Sequence, residues 1–322
     1  MSSPKTGIFR LSQDEFQVIG TCLHPIDLLS WRQTNKQFHQ CTVLSHAMIT
    51  NFKTNLGYML QCCGYSALES VLEQGKCILS GSCVLQAILG VMWAGSDIDL
   101  YTSIDSANEI TQRLIKLGYR QRPFVMENGD NYYLFQRCGA LLESIKMWTS
   151  LEIKSGVWKS QAGEFHTTTT TPPGSLQMMV LKAEVPTAET AIGKFDLDIV
   201  MNTWDGSTLY MTSPSGLIHR VATTSEEVIA IASAMGKLSD PPELQWERLC
   251  MLEDQGLISV TKPTSHLLIG LKIVFNTYFK RLYKYSIRGF TIMVGTETWT
   301  TKRLAKVMQW VMLGKYKTRL FT

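Results

Sequence analysis

Two Asp-x-Asp pairs, Asp97 with Asp99 and Asp196 with Asp198, are the residues of this chain best suited to chemistry. On an extended strand, residues two apart point to one face, so each pair can present two carboxylates to a cation. Magnesium favours carboxylate oxygens, keeps several waters and so needs few protein ligands. Upstream of the first pair stands Ser80-Gly81-Ser82, between an apolar run (Cys77 to Leu79) and a short helical run (Val84 to Leu89). Backbone N–H groups at a helix start, with a hydroxyl beside them, grip phosphate oxygens, and glycine lets the backbone come close. Phosphates held beside a carboxylate-bound cation suit in-line attack by a hydroxyl on an α-phosphate. In that chemistry two divalent ions about 3.5–4 Å apart stabilise the attacking and leaving oxygens. A third carboxylate must then come from a neighbouring strand, and Asp196 or Asp198 would supply it.

Other chemistries find less support. The six histidines (His24, His39, His46, His166, His219 and His266) show no HxxxH or HExxH spacing, and neither a Walker A motif nor a GxSxG elbow occurs. Eight cysteines are scattered without a CxxC, which fits reduced thiols rather than a zinc ribbon or a disulfide framework. Trp93, just before the first acidic pair, can stack on a base or serve as a strand-edge core aromatic. Arg281, Lys284 and Arg288 fall on one helical face, able to meet a triphosphate, a polynucleotide backbone or only solvent.

The elements that must position these residues follow from periodicity. Ser96 to Tyr101 alternates polar and apolar, as a half-buried strand does. Asp105 or Ser106 is expected to cap a helix that presents Ile110, Leu114 and Leu117 and ends at Gly118. Further strands are expected at Phe124 to Met126, Tyr132 to Gln136, Gln177 to Leu181 and Lys194 to Met201, the last closing at Trp204-Asp205-Gly206. A short helix is expected from about Pro186. The run Thr167–Thr171 before Pro172-Pro173-Gly174 reads equally as a linker or as a strand with its turn. Leu56 to Glu73 reads as a helix stopped by Gly75. In the C-terminal part, Arg248-x7-Gly256-Leu257-Ile258 and Arg281-x7-Gly289-Phe290-Thr291 form a weak repeat of 33 residues, two helices each turning at a glycine into a strand.

An apolar strand, Gly81-Ser82, fourteen residues, then Asp97-Ile98-Asp99-Leu100 resembles the DNA polymerase β-like nucleotidyltransferase superfamily, over about Lys76 to Gly206. The segment "FDLDIVMNTWDG" is similar to a Phe-Asp strand followed by Asp-Gly in its eukaryotic and giant-virus members. The resemblance implies that Asp97 and Asp99 bind metal, that Gly81 and Ser82 form the phosphate turn, and that Asp196 is the third carboxylate in preference to Asp198. At the N-terminus, Asp27-Leu28-Leu29, Arg32, Asn35 and Phe38 have the spacing of an F-box, with Leu11-Ser12 where that family has Leu-Pro. A generic helical cap on the core is the other reading of this segment. The F-box resemblance implies a Skp1-like adaptor as partner.

The expected fold is therefore α+β: an F-box-like helical segment over residues 1–52, a mixed-sheet catalytic core over 53–212, and a mainly helical region over 213–322. The expected activity is transfer of a nucleoside monophosphate from an NTP, with Mg2+ or Mn2+, to a hydroxyl of a polynucleotide end, a small molecule or a protein. The alternatives are an F-box-type adaptor with a silent nucleotidyltransferase domain, and a nucleotide-binding sensor. A net charge of +4 does not by itself imply nucleic acid, but eleven Lys and Arg from Lys272 onward face one acid, Glu297, and can meet a polyanion. No segment is long and apolar enough to span a bilayer, and Met-Ser-Ser-Pro-Lys opens no signal peptide. A reducing compartment, cytoplasmic or nuclear, is expected.

Overall fold

Ser12 starts the first helix through a capping box, its side chain accepting from the Glu15 N–H while Glu15 reaches back to the Ser12 N–H. The computed structural model describes residues 12–34, 41–93, 96–122, 141–149, 157–160, 163–166, 175–235, 242–255 and 278–317. The strands expected at Phe124–Met126 and Tyr132–Gln136, the Thr167–Thr171 run, the first repeat's glycine, and Asn35 and Phe38 lie outside these residues.

The N-terminal part holds α1 (Gln13–Thr21), α2 (Pro25–Thr34) and the long α3 (Thr42–Cys62). Pro25 is the first residue of α2, where its missing N–H costs nothing. Leu28 and Leu29 are buried with Leu44, Ala47 and Met48 in a small cluster that also takes in Met211 and Ile218 from far along the chain. These two leucines face inward, Leu28 fully buried and Leu29 nearly so. The side-chain amide of Asn51 on α3 donates to the carbonyls of Gly20 and Leu23, tying the end of α1 to α3. The boundary expected at 52/53 falls inside α3. Its first half serves the small cluster, while Phe52, Leu56, Met59 and Leu60 belong to the main core. The helix expected over Leu56 to Glu73 is broken: α3 stops at Cys62, and α4 (Glu69–Leu72) follows a 3-10 turn.

The strands of the main sheet are β1 (Cys77–Ser80), β2 (Ile98–Ser103), β3 (Arg120–Arg122) and β4 (Leu142–Thr149), with β7 (Leu176–Leu181), β8 (Thr203–Trp204) and β9 (Leu209–Tyr210) after a separate hairpin of β5 (Val157–Ser160) and β6 (Gly163–His166). Their order is β3-β4-β7-β2-β1-β8-β9. Only β2 and β7 pair in parallel, so the sheet is mixed. The run Leu-Gln-Met-Met-Val-Leu of β7 is buried throughout, as befits a central strand covered on both faces. Helix α5 (Ser82–Leu89) follows β1, and α6 (Ile104–Lys116) follows β2. The cap of α6 is Ser103, two residues before the expected Asp105, because the strand runs directly into the helix. Gly118 ends it at φ 85. After β7 come the short α7 (Ala188–Ile192) and α8 (Pro214–His219).

The C-terminal part is less helical than expected. It contains a second sheet, β10 (Val221–Thr223), β11 (Thr291–Val294) and β12 (Glu297–Trp299), beside α9 (Glu226–Met235), α10 (Pro242–Asp254), α11 (278–287) and α12 (Thr301–Lys317). The second repeat copy behaves as expected: α11 turns at Gly289, φ 88, into β11. The whole is α+β, a mixed seven-stranded sheet flanked by helices. Among the described residues no helix is long and apolar enough to cross a membrane.

Candidate active site

β1 delivers the chain to Gly81, which starts α5 with φ 77 and ψ −150, a conformation essentially confined to glycine. A Cβ built there would lie 2.5 Å from Asp99 Oδ2. The turn that begins α5 and the carboxylate of Asp99 are therefore in contact, with room for no side chain between them. Register explains why: Ser80 on β1 is opposite Asp99 on β2. Asp97 lies just before β2 and is held by Ser175, whose backbone N–H and hydroxyl donate to Asp97 Oδ1 at 3.1 and 2.8 Å. Gly81, Ser82, Asp97 and Asp99 are thus brought together as expected.

Ser80 is different. It is fully buried, and its hydroxyl donates to the carbonyl of Asn202 at 2.9 Å, fastening β1 to the chain before β8. That hydroxyl is spent on the fold and does not face a phosphate. Cys83, one residue into α5, is also buried, and burial, with Cys63 and Asp99 nearby, pushes its thiol well up, so it is no thiolate nucleophile.

Lys194 to Met201 does not form the expected strand. Leu197 makes one bridge to Thr224, and Asp198–Val200 is a 3-10 turn. With a single bridge on one side there is no ladder to extend it, and burial does not alternate along it, since Asp196 and Val200 are buried as fully as Leu197 and Ile199. Asp196 and Asp198 consequently take different partners. Asp196 is fully buried, with Arg281 Nε 3.3 Å from its Oδ2. Asp198 accepts from the backbone N–H of Thr223 at 2.8 Å, which anchors β10. Among the described residues no group of three or more His, Cys, Asp or Glu is arranged to hold a metal.

Helix α11 and the turn after it bring cations to the acids. Arg281, Lys284 and Arg288 are half-buried rather than solvated. Burial, then repulsion from Asp97, raises the Asp99 carboxyl from 3.8 to about 7, while Arg281 and Lys284 pull it back. Burial lowers Lys284 to about 8, helped by Arg288 and Arg281 and opposed by Asp97 and Asp99. For Arg281, burial disfavours the charge, but Asp196, Tyr285, Asp99 and Tyr101 outweigh it and raise the pKa. The guanidinium of Arg288 lies 4.1 Å from the ring centre of Trp93 and 3.4 Å from the Ser96 hydroxyl. Trp93 therefore helps seat α11 through a cation–π contact, with Tyr285 edge-on to it at 6.1 Å. The helical spacing of the three cations was visible in the sequence, but their direction was not.

Sequence reasoning also missed Gln177. β7 runs parallel beside β2 with Gln177 opposite Asp99, so the strand neighbouring the acidic pair carries a neutral amide there. Two carboxylates, close enough to repel and set beside a helix start, fit one divalent cation; a third from Asp196 does not fit, because Arg281 is paired with it. No family model matches this sequence, and no curated protein is significantly similar to it.

Proposed function

We propose that the chain binds a nucleoside triphosphate with Mg2+ or Mn2+ between the Gly81–Ser82 turn, the Asp97–Asp99 pair and α11, and transfers its nucleoside monophosphate to a hydroxyl acceptor. The observation that carries this reading is the contact between Gly81 and Asp99, which sets a glycine-only turn at a helix start directly against the acidic pair. Open N–H groups at the start of α5 suit the phosphates, and the eight-residue helix points its positive end at them. Asp97, oriented by Ser175, and Asp99 would hold the ion; when bound, it neutralises phosphate charge and polarises the phosphorus for attack. Lys284 and Arg288 supply cations for the remaining phosphate oxygens. The resemblance to DNA polymerase β-like nucleotidyltransferases supports the same assignment.

A second reading, a core that binds the nucleotide without turnover, is favoured by Gln177 beside Asp99 and by the pairing of Asp196 with Arg281. A polynucleotide acceptor is favoured by Lys302 and Lys306, which point outward on α12. A Skp1-like adaptor, if one binds, must use residues other than Leu28 and Leu29. Incubation with each α-labelled NTP, Mg2+ or Mn2+, and RNA, small-molecule and protein acceptors tests the proposal. Label on an acceptor with pyrophosphate released, lost in Asp97→Asn/Asp99→Asn, supports transfer. Nucleotide retained without release supports the second reading, and no metal-dependent nucleotide binding overturns both.

A further inference from the structure

We infer that this site takes one divalent cation with its nucleotide, and that Arg281 occupies the electrostatic role of a second. The inference rests on the nucleotide-binding reading and deepens it. A two-ion site needs carboxylates enough to hold both ions. Asp97 and Asp99 are two. Each neighbour of β2 has a residue in register with Asp99, and residues in register share a sheet face. On β1 that residue is Ser80, whose hydroxyl is bonded to the carbonyl of Asn202. On β7 it is Gln177, only 7% exposed, an amide that carries no charge to offer a metal. The position from which a strand could add a third carboxylate is filled on both sides by neutral groups.

The remaining acid, Asp196, reaches the same region from outside the sheet. Phe195 beside it packs on Tyr101, two residues beyond Asp99. Its carboxylate is fully buried and ion-paired with Arg281, whose charge also acts on Asp99. A guanidinium does not deprotonate, so Asp196 cannot be released by loss of the Arg281 charge. Pulling the pair apart would leave a buried carboxylate uncompensated, which is strongly unfavourable. The positive charge that a second ion would bring to Asp99 and Asp196 is thus already present and built into α11. What remains is one pair of carboxylates, and one ion completing its shell with phosphate oxygens and water meets that pair.

Equilibrium dialysis of the full-length chain against Mn2+ and an α,β-methylene NTP, with bound Mn2+ counted by electron paramagnetic resonance, reads the stoichiometry without turnover. One Mn2+ per bound nucleotide supports the inference. Two Mn2+ per nucleotide, with the spin coupling of a close pair, overturns it and leaves the proposed function standing. No Mn2+-dependent nucleotide binding removes the proposed function and the inference together. Gln177→Asp supplies the missing carboxylate and should raise the count from one to two, with Gln177→Asn remaining at one. A Gln177→Asp chain that melts like wild type yet still holds one ion refutes the part given to Gln177. If that variant does not fold, the wild-type count decides alone.

Discussion

Replacing Asp99 with Asn should stabilise the metal-free protein, and by an amount that depends on pH. In the folded chain this carboxyl is raised from 3.8 to about 7, first by burial and then by Asp97. At about 1.36 kcal/mol per unit, ionising it in the fold costs about 4 kcal/mol relative to the unfolded chain, as a ceiling. Asp99 is only half-buried, and solvent screening brings a realistic figure to about 2 kcal/mol. The sign follows from proton counting: between the two pKa values the folded state keeps a proton that the unfolded state has lost, so wild-type stability falls as pH rises from about 4 to 7 and is flat above. Asn carries no such charge. Its advantage is therefore absent below about pH 4, about a third developed at pH 5 and complete above 7. Calorimetry in EDTA should place the variant about 4 °C above wild type at pH 8, near the low end of the shift per kcal/mol for large domains. With Mg2+ and NTP at about 100 times Kd the order should reverse, because wild type alone gains about 2.7 kcal/mol from the ligand. A variant less stable than wild type at pH 8, or a difference equal at pH 5 and pH 8, would refute the account of Asp99 as a carboxylate strained by burial and by its neighbour.

Gly81→Ala should cost about 1–3 kcal/mol for its backbone conformation alone, and should weaken nucleotide binding further by displacing Asp99; urea denaturation and a fluorescent NTP read the two effects. Deleting residues 1–45 removes Leu28, Leu29 and Leu44 from the small cluster, each worth about 1.5–3 kcal/mol of burial; the truncated chain should aggregate or melt far below full length, and an unchanged melting temperature would restore an independent N-terminal module. Asp196→Asn should be more damaging than Asp198→Asn. The first leaves Arg281 without its buried counter-charge, at about 3 kcal/mol. The second keeps a carbonyl for the Thr223 N–H and should cost about 1 kcal/mol or less in a melt.

The chemistry-bearing stretch from Cys77 to Leu117 was legible because its signals are local: an apolar run, a glycine, a helical period and an alternation. Asp99 lies on the strand that two-residue spacing suggested, whereas Asp97 falls just before it and is held by Ser175. The Lys194–Met201 segment was misread because a strand needs a partner, and among the described residues only Leu197 has a bridge, while Asp196 and Val200 are buried against the alternation. The direction of Arg281, Lys284 and Arg288 was illegible for a related reason: helical spacing says which residues share a face, not what the face meets. Gln177 carried no signal at all, since its meaning lies in a register with a strand some eighty residues earlier. Leu28 and Leu29 matched a spacing that binds partners elsewhere, but Met211 and Ile218, which pack against their cluster here, come from far along the chain.

Helix α3 leans on α5 as well as on the N-terminal cluster, with the Asn55 amide donating to the carbonyl of Ala87 at 2.9 Å. One rod thus links the outermost helices to the helix that begins at Gly81. Amide exchange should then be slowest in the middle of α3, around Asn51 and Phe52, where the two clusters meet. On the proposed function, a protein that grasped the N-terminal helices would hold a lever on that turn, and nucleotide occupancy would be felt in return at the far end of the same rod.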